Sequence, residues 1–170
     1  MKAVLISIQP KWCEMIASGE KTLEVRKTMP TLATPFKVFI YCTKAPKGWF
    51  WFDSPNIRRD GAVIGEFICG KINRFDVPYP AYQKKLDPEI LKASCCTYYQ
   101  LHRYAYHDSL YGWHISDLKI YETPLDLSNF FHACDKPSEQ NCSVCEESGN
   151  AICKQLRRAP QSWCYVMEVG

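Results

Sequence analysis

The sequence predicts an α+β protein built on a small, mixed β-barrel with short peripheral helices. Three observations lead there. Five or six segments are rich in aromatic and β-branched residues, with strand-like length and patterning. The helical segments between them are few and short. Strands and helices also fail to alternate regularly, which argues against a doubly wound parallel sheet.

The elements follow in order. Met1 to Ile8 carries an apolar run that Gln9-Pro10-Lys11 interrupts, and it reads as the first strand. Pro10 to Ser18 reads as a short helix. Proline suits a first helical turn because its missing N–H would have no partner there, and Trp12, Cys13, Met15 and Ile16 give i, i+3, i+4 apolar spacing. Gly19 stands where a left-handed residue commonly ends a helix. From Thr22 to Arg26 the chain alternates with period two, so Leu23 and Val25 are expected to face the core, with Thr22, Glu24 and Arg26 on the other face. Phe36 to Cys42 and Ala62 to Cys69 are strong strands, and Gly65 within the second is a candidate bulge or close-approach point. Asp87-Pro88 has the capping residue and first-turn proline of a helix start. A further helix is expected over Thr97 to Tyr104, a strand over Trp113 to Tyr121, a short helix over Leu125 to Phe131 and a closing strand over Trp163 to Val169.

A chain of 170 residues with 46% apolar content suits one core, so residues 1–170 are expected to form a single domain. Charged residues make up 23% and the net charge is +3, without the marked basic excess of a dedicated nucleic-acid backbone binder. No stretch approaches the roughly 20 apolar residues of a membrane span, and the first strand lacks the features of a signal peptide. A cytoplasmic location is expected, with the ten cysteines mostly reduced or bound to metal.

Residues 132–159 form a cysteine-rich insertion before the last strand. Cys134, Cys142, Cys145 and Cys153 are spaced C-x7-C-x2-C-x7-C in a polar segment that can bury little apolar surface. A structural zinc held by these four thiolates would order it, with the C-x2-C pair on one side of a tetrahedral site. Free thiols, disulfides and an iron–sulfur cluster are the alternatives. Four cysteine ligands leave no open position, so such a metal would not be catalytic.

The segment with most chemistry is Gly19-Glu20-Lys21-Thr22-Leu23-Glu24-Val25-Arg26. Lys21 offers an ammonium for anion binding or acid–base work, and Glu24 and Arg26 on one strand face can pair. Glu66 is an acid in a very apolar strand and needs a partner. His114 has a side chain that titrates near neutrality when unperturbed. The competing reading is structural, in which Lys21, Glu24 and Arg26 only tie the helix end to the sheet.

This G-x-K-x-x-E-x-R run, after a strand and a short helix, resembles the signature of the ASCH domain of the PUA-like superfamily. Tyr111 to Tyr121 resembles a late strand of small bacterial and phage-type ASCH proteins, and Pro160 to Val166 resembles their closing strand. The resemblance covers most of the chain, apart from segments around Trp49–Asp60 and Cys134–Arg158. It implies a PUA-like barrel and a cleft that takes RNA or a modified nucleotide. By resemblance the cleft is lined by Ser7, Gln9, Lys21, Glu24, Arg26, Tyr41, Thr43 and Gln161. Trp113 and His114 are further candidates, and Trp49, Trp51 and Trp163 are possible stacking faces. Some relatives are amidohydrolases acting on acylated cytidine, and others are proposed ribonucleases. Either activity here would use Lys21 with Glu24 or Glu66. Glu24 stands where the amidohydrolases carry a threonine, which puts the role of that hydroxyl in doubt. A third reading is a metal-stabilised interaction module, with the cysteine insertion as the contact surface for a protein partner that the sequence does not identify.

Overall fold

The computed structural model describes residues 2–45, 60–78, 86–133 and 152–167, with side chains omitted at 152–154. Its strands are β1 (Lys2–Ile8), β2 (Leu23–Arg26), β3 (Phe36–Cys42), β4 (Ala62–Phe75), β5 (Leu110–Leu125), β6 (Phe131–Ala133), β7 (Ile152–Gln155) and β8 (Trp163–Met167). The helices are α1 (Pro10–Ala17), α2 (Pro88–Ser94) and α3 (Tyr98–Ala105). The strands form one mixed sheet in the order β2-β5-β4-β3-β1-β8-β6-β7. Only β1 and β3 run parallel among the described pairs; the rest are antiparallel.

The expected barrel is present as a curl rather than a closed ring. Among the described residues no pairing joins β2 to β7. Yet β2 touches β1 although β5, β4 and β3 lie between them in the sheet. In a flat sheet four strand spacings would separate them by about 19 Å, whereas Arg26 Nη2 donates to the Ser7 carbonyl at 2.6 Å. On the same inner side the rings of Trp113 and Trp163 lie 6.0 Å apart, and Trp163 Nε1 donates to Thr28 Oγ1 at 3.0 Å. Side chains, not a backbone ladder, hold the β2–β5 edge of the curl to β1 and β8.

The curl has three apolar layers. Inside it, Val4, Ile6 and Ile8 of β1 meet Val38, Ile40, Phe67 and Trp113. Outside it, Ala3 and Leu5 meet Phe39, Phe130, Leu156 and Val166. β1 is thus buried on both faces, which is why it reads as an unbroken apolar run rather than an alternating one. The third layer packs Leu23 and Val25 of β2 against Leu86 and against Leu101 and Ala105 of α3.

β2 departs from the half-buried strand expected of it, because all four of its residues are buried. The apolar face looks outward to the helices, and the charged face looks into the curl. Elsewhere the differences are modest. The expected helix over Leu125 to Phe131 is a 3-10 turn at Leu127–Asn129, because β5 continues to Leu125. The cysteine-rich insertion also begins and ends in strands. β6 and β7 pair with each other, and β6 pairs with β8. Gly65 does lie at a register shift, and a Cβ there would stand 2.4 Å from the Lys119 carbonyl oxygen. No helix among the described residues is long and apolar enough to cross a membrane.

Candidate functional site

A pocket of about 500 Å³ opens where the C-terminal ends of β1 and β3 meet β2. These strands are parallel, so Ser7 and Gln9 after one and Thr43 after the other arrive at the same end. The Thr43 amide donates to the Ile8 carbonyl at 2.8 Å and joins the two exits. α1 begins here, with Gln9 as its N-cap and Pro10 in its first turn. Its end is set by Gly19, whose φ of +81° suits a residue without a Cβ. The chain then turns so that Lys21 enters the pocket as β2 begins.

Lys21, Glu24 and Arg26 form one buried network. Glu24 lies 2.9 Å from Arg26 and 3.5 Å from Lys21, and each of the three residues is less than a tenth exposed. Lys21 Nζ also donates to the carbonyls of Leu23 at 2.9 Å and Ser94 at 2.7 Å. Arg26 reaches the Ser7 carbonyl and, at 3.4 Å, Ser162 Oγ. Burying three charges is costly unless each is paired and bonded; here backbone carbonyls accept from Lys21 Nζ and Arg26 Nη2, while Arg26 Nε is left without a partner among the described residues. Lys21 thereby ties α2 to β2, so a structural role and a place in the pocket wall coexist in one side chain.

The opposite wall comes from α3 and the residue before its N-cap. Cys96, Gln100, Leu101 and Tyr104 line the pocket, and Ala159, Pro160 and Gln161 close its third side. α3 starts in a reciprocal capping box between Thr97 and Gln100. Burial pushes the Cys96 thiol pKa up, and the Lys21 charge pulls it back. Burial likewise raises the Tyr104 phenol, with Arg26 opposing the shift.

Of the residues singled out in the sequence, Ser7, Gln9, Lys21, Glu24, Arg26, Thr43 and Gln161 meet around this pocket. Tyr41 does not, because it faces the outer apolar layer with Phe39. Trp113 is fully buried inside the curl, its ring edge-on to Phe36. His114 sits on β5 opposite Leu23 and outside the pocket lining; burial, followed by the Lys71 charge, lowers its pKa. Glu66 pairs in register with Phe39, and residues directly opposite share a face. It therefore points to the outer side of the sheet, away from Lys21. Its partners there are Tyr121, which donates to it at 2.6 Å, and Lys37 at 3.7 Å.

Trp12, Cys96, Gln100 and Tyr104 are pocket residues that the sequence reading did not select. Trp12 has apolar helical spacing and reads as core, but its ring lines the pocket, with Lys21 Nζ 5.2 Å from its centroid. Gln100 and Tyr104 share one helix face at i, i+4, a usable signal once α3 is placed. Trp49 and Trp51 lie outside the described residues, as do Cys134, Cys142 and Cys145 and the side chain of Cys153. The ends of the cysteine-rich segment do meet, since Ala133 pairs with Ile152. Among the described residues no cluster of metal-ligating side chains occurs.

A curled mixed sheet with a cleft between β2 and the ends of β1 and β3, and a flanking helix, defines the class of fold. It is the ASCH-type fold: the ASCH protein of Zymomonas mobilis is 19% identical, with a TM-score of 0.60 over 98% of this chain and 88% of that one. Two mutant structures of that protein agree, at 19% and 18% identity and TM-scores of 0.60 and 0.59, covering 99% and 98% of this chain and 92% and 89% of theirs. No protein-family model and no curated protein matches the chain.

Proposed function

We propose that the protein binds RNA or a modified nucleotide, taking one base into the pocket between β1, β2 and α3. The observation that carries this reading is a pocket of about 500 Å³ whose wall joins a buried Lys21–Glu24–Arg26 network to the rings of Trp12 and Tyr104. A pocket of a few hundred Å³ with apolar faces and a few fixed polar groups is the usual form of a small-ligand site. Trp12 and Tyr104 offer flat faces to a base. Gln9 and Gln161 offer both donors and acceptors to its edge, and Gln100, whose Oε1 is held in the capping box, offers its amide N–H groups. The network carries two cations against one carboxylate, which favours an anionic group such as a phosphate nearby.

Calorimetric titration with nucleosides, nucleoside monophosphates and short RNAs tests this. Saturable binding that falls at least tenfold in Gln161→Ala and Arg26→Gln is expected. Absence of binding by every compound, or equal binding by both variants, would refute it.

A hydrolytic use of the same pocket has one observation in its favour, the closeness of Lys21 and Glu24. It would rest on those two residues without Glu66, which faces the other side of the sheet. Lys21 would first have to give up one ammonium proton, after which the neutral amine keeps two N–H donors for the Leu23 and Ser94 carbonyls and a lone pair to accept a proton. Mass-spectrometric turnover of acylated cytidines and short RNAs by wild type, absent from folded Lys21→Ala protein, would establish the enzyme.

The cysteine-rich segment is proposed to hold one structural zinc through Cys134, Cys142, Cys145 and Cys153. The spacing of the four thiols and the joined ends of the segment support this. Elemental analysis should find one zinc per chain, lost in a Cys142→Ser, Cys145→Ser double variant.

A further inference from the structure

Among the described residues, exposed aromatic surface is concentrated on one helix. Among the described residues five large hydrophobic side chains are exposed, and three are tyrosines of α3 and its C-cap: Tyr99 at 69%, Tyr104 at 40% and Tyr106 at 77%. Helical spacing sorts them. Leu101 and Ala105 are buried against β2, Gln100 and Tyr104 line the pocket, and Tyr99 and Arg103 share the solvent side at i, i+4, with exposed Tyr106 following at the C-cap. Such exposed rings cost solubility and return nothing to the core.

The backbone adds an independent observation. Tyr106 has φ +45° and His107 has φ +72°, two successive left-handed residues where a helix normally ends on glycine or asparagine. A bulky residue held in that region marks strain retained for a purpose more often than by chance. Here it turns an aromatic residue out beyond the helix end, with the His107 ring 5.5 Å from it.

We propose that Tyr99 and Arg103 of α3, with Tyr106 at its C-cap, form a stacking track for single-stranded RNA flanking the nucleotide held in the pocket. The proposal rests on the pocket reading above. Rings separated by an arginine suit successive bases and the phosphate between them, because stacking tolerates any base and the guanidinium binds the backbone. Tyr104, with Lys27 Nζ 5.6 Å from its ring centroid, makes the track continuous with the pocket. The surroundings are not strongly basic, since Asp108 faces Lys27 at 3.9 Å and Asp76 accepts from Ser109. Stacking rather than net charge supplies the affinity. Seven residues of helix rise about 10 Å, which matches roughly three stacked nucleotides at 3.4 Å each.

Fluorescence anisotropy with labelled oligouridylates and oligoadenylates of one to eight nucleotides, as RNA and as DNA, tests the track. Affinity should climb to about four nucleotides and then level off. Tyr106→Gly suits the left-handed backbone, so it keeps the fold. It should weaken hexanucleotide binding about tenfold and leave the mononucleotide within twofold. Arg103→Gln should lower the magnitude of the salt slope by roughly 0.7.

Hexanucleotide affinity unchanged in both Tyr106→Gly and Tyr99→Ala, but lost in Gln161→Ala, would overturn the track and leave the pocket reading intact. Loss in the tyrosine variants with none in Gln161→Ala or Arg26→Gln would refute the pocket and overturn the track as its flank, leaving RNA stacking on α3 alone. No length dependence, or no nucleic-acid binding at all, would overturn the track. Equal affinity for DNA would overturn its restriction to RNA.

Discussion

Two carboxylates sit in apolar strands of this protein, and their surroundings differ sharply. Glu24 points into the curl, where Lys21 and Arg26 flank it and carbonyls of β1, β2 and α2 accept from the two cations. Glu66 points outward, where one tyrosine and one partly exposed lysine suffice. Both satisfy the demand that an acid in an apolar setting find partners. Only Glu24 borders a pocket. An unusual acid in a strand therefore marks a partner, and a neighbouring cavity is what makes it a candidate site.

The largest test of this contrast is stability. Glu24→Ala leaves two buried cations without their shared anion and should cost about 3 kcal/mol or more. Glu66→Ala, on the half-open side, should cost about 1 kcal/mol. Urea denaturation of both variants measures the gap, and equal losses would break the comparison. Next in size is Gly65→Ala, beside Glu66. An added Cβ would press on the β5 backbone at Lys119, and a loss of about 1–3 kcal/mol is expected. The same denaturation assay applies, and a neutral result would mean that the β4–β5 register relaxes freely.

Smaller still is Tyr121→Phe, which removes one hydrogen bond from Glu66 and should cost about 1 kcal/mol without changing nucleotide binding. An effect on binding would show that the outer face communicates with the pocket. The smallest effect belongs to His114. Burial and the Lys71 charge lower its folded pKa below the ordinary 6.5. Between those two values the unfolded chain binds more protons, so stability rises with pH across that window and falls as pH drops below 6.5. Melting temperatures from pH 5 to 7.5 should show a shallower acid decline in His114→Gln than in wild type.

Local signals in the chain gave the right neighbourhood for the pocket but only part of its wall. Pro10, Gly19 and the alternation after Thr22 place α1 and β2 correctly, because capping, left-handed turns and period-two pleating act within a few residues. The pairing of Glu24 with Arg26 was foreseeable for the same reason. The α3 wall was not, since Gln100 and Tyr104 are more than seventy residues from Lys21 and nothing local ties them to it. Trp12 misled because an apolar helix face serves core and pocket equally well. Glu66 and Tyr41 depended on which face each strand turns inward, and that is set by pairing with β3 and β4.

The sequence by itself determined most element types, though not the 3-10 turn at Leu127–Asn129 or the strands β6 and β7, and it determined the ends of α1, the start of α2 and the charged segment, through propensities and short-range hydrogen bonding. Only the tertiary structure decided that β2 is buried on both faces, that the sheet curls without closing, and that α3 presents its tyrosines beside the pocket. The reason is physical: contact between β1 and β2 spans three intervening strands. It depends on sheet twist and on side chains such as Arg26 and Trp113 meeting distant partners, and no local pattern encodes that distance.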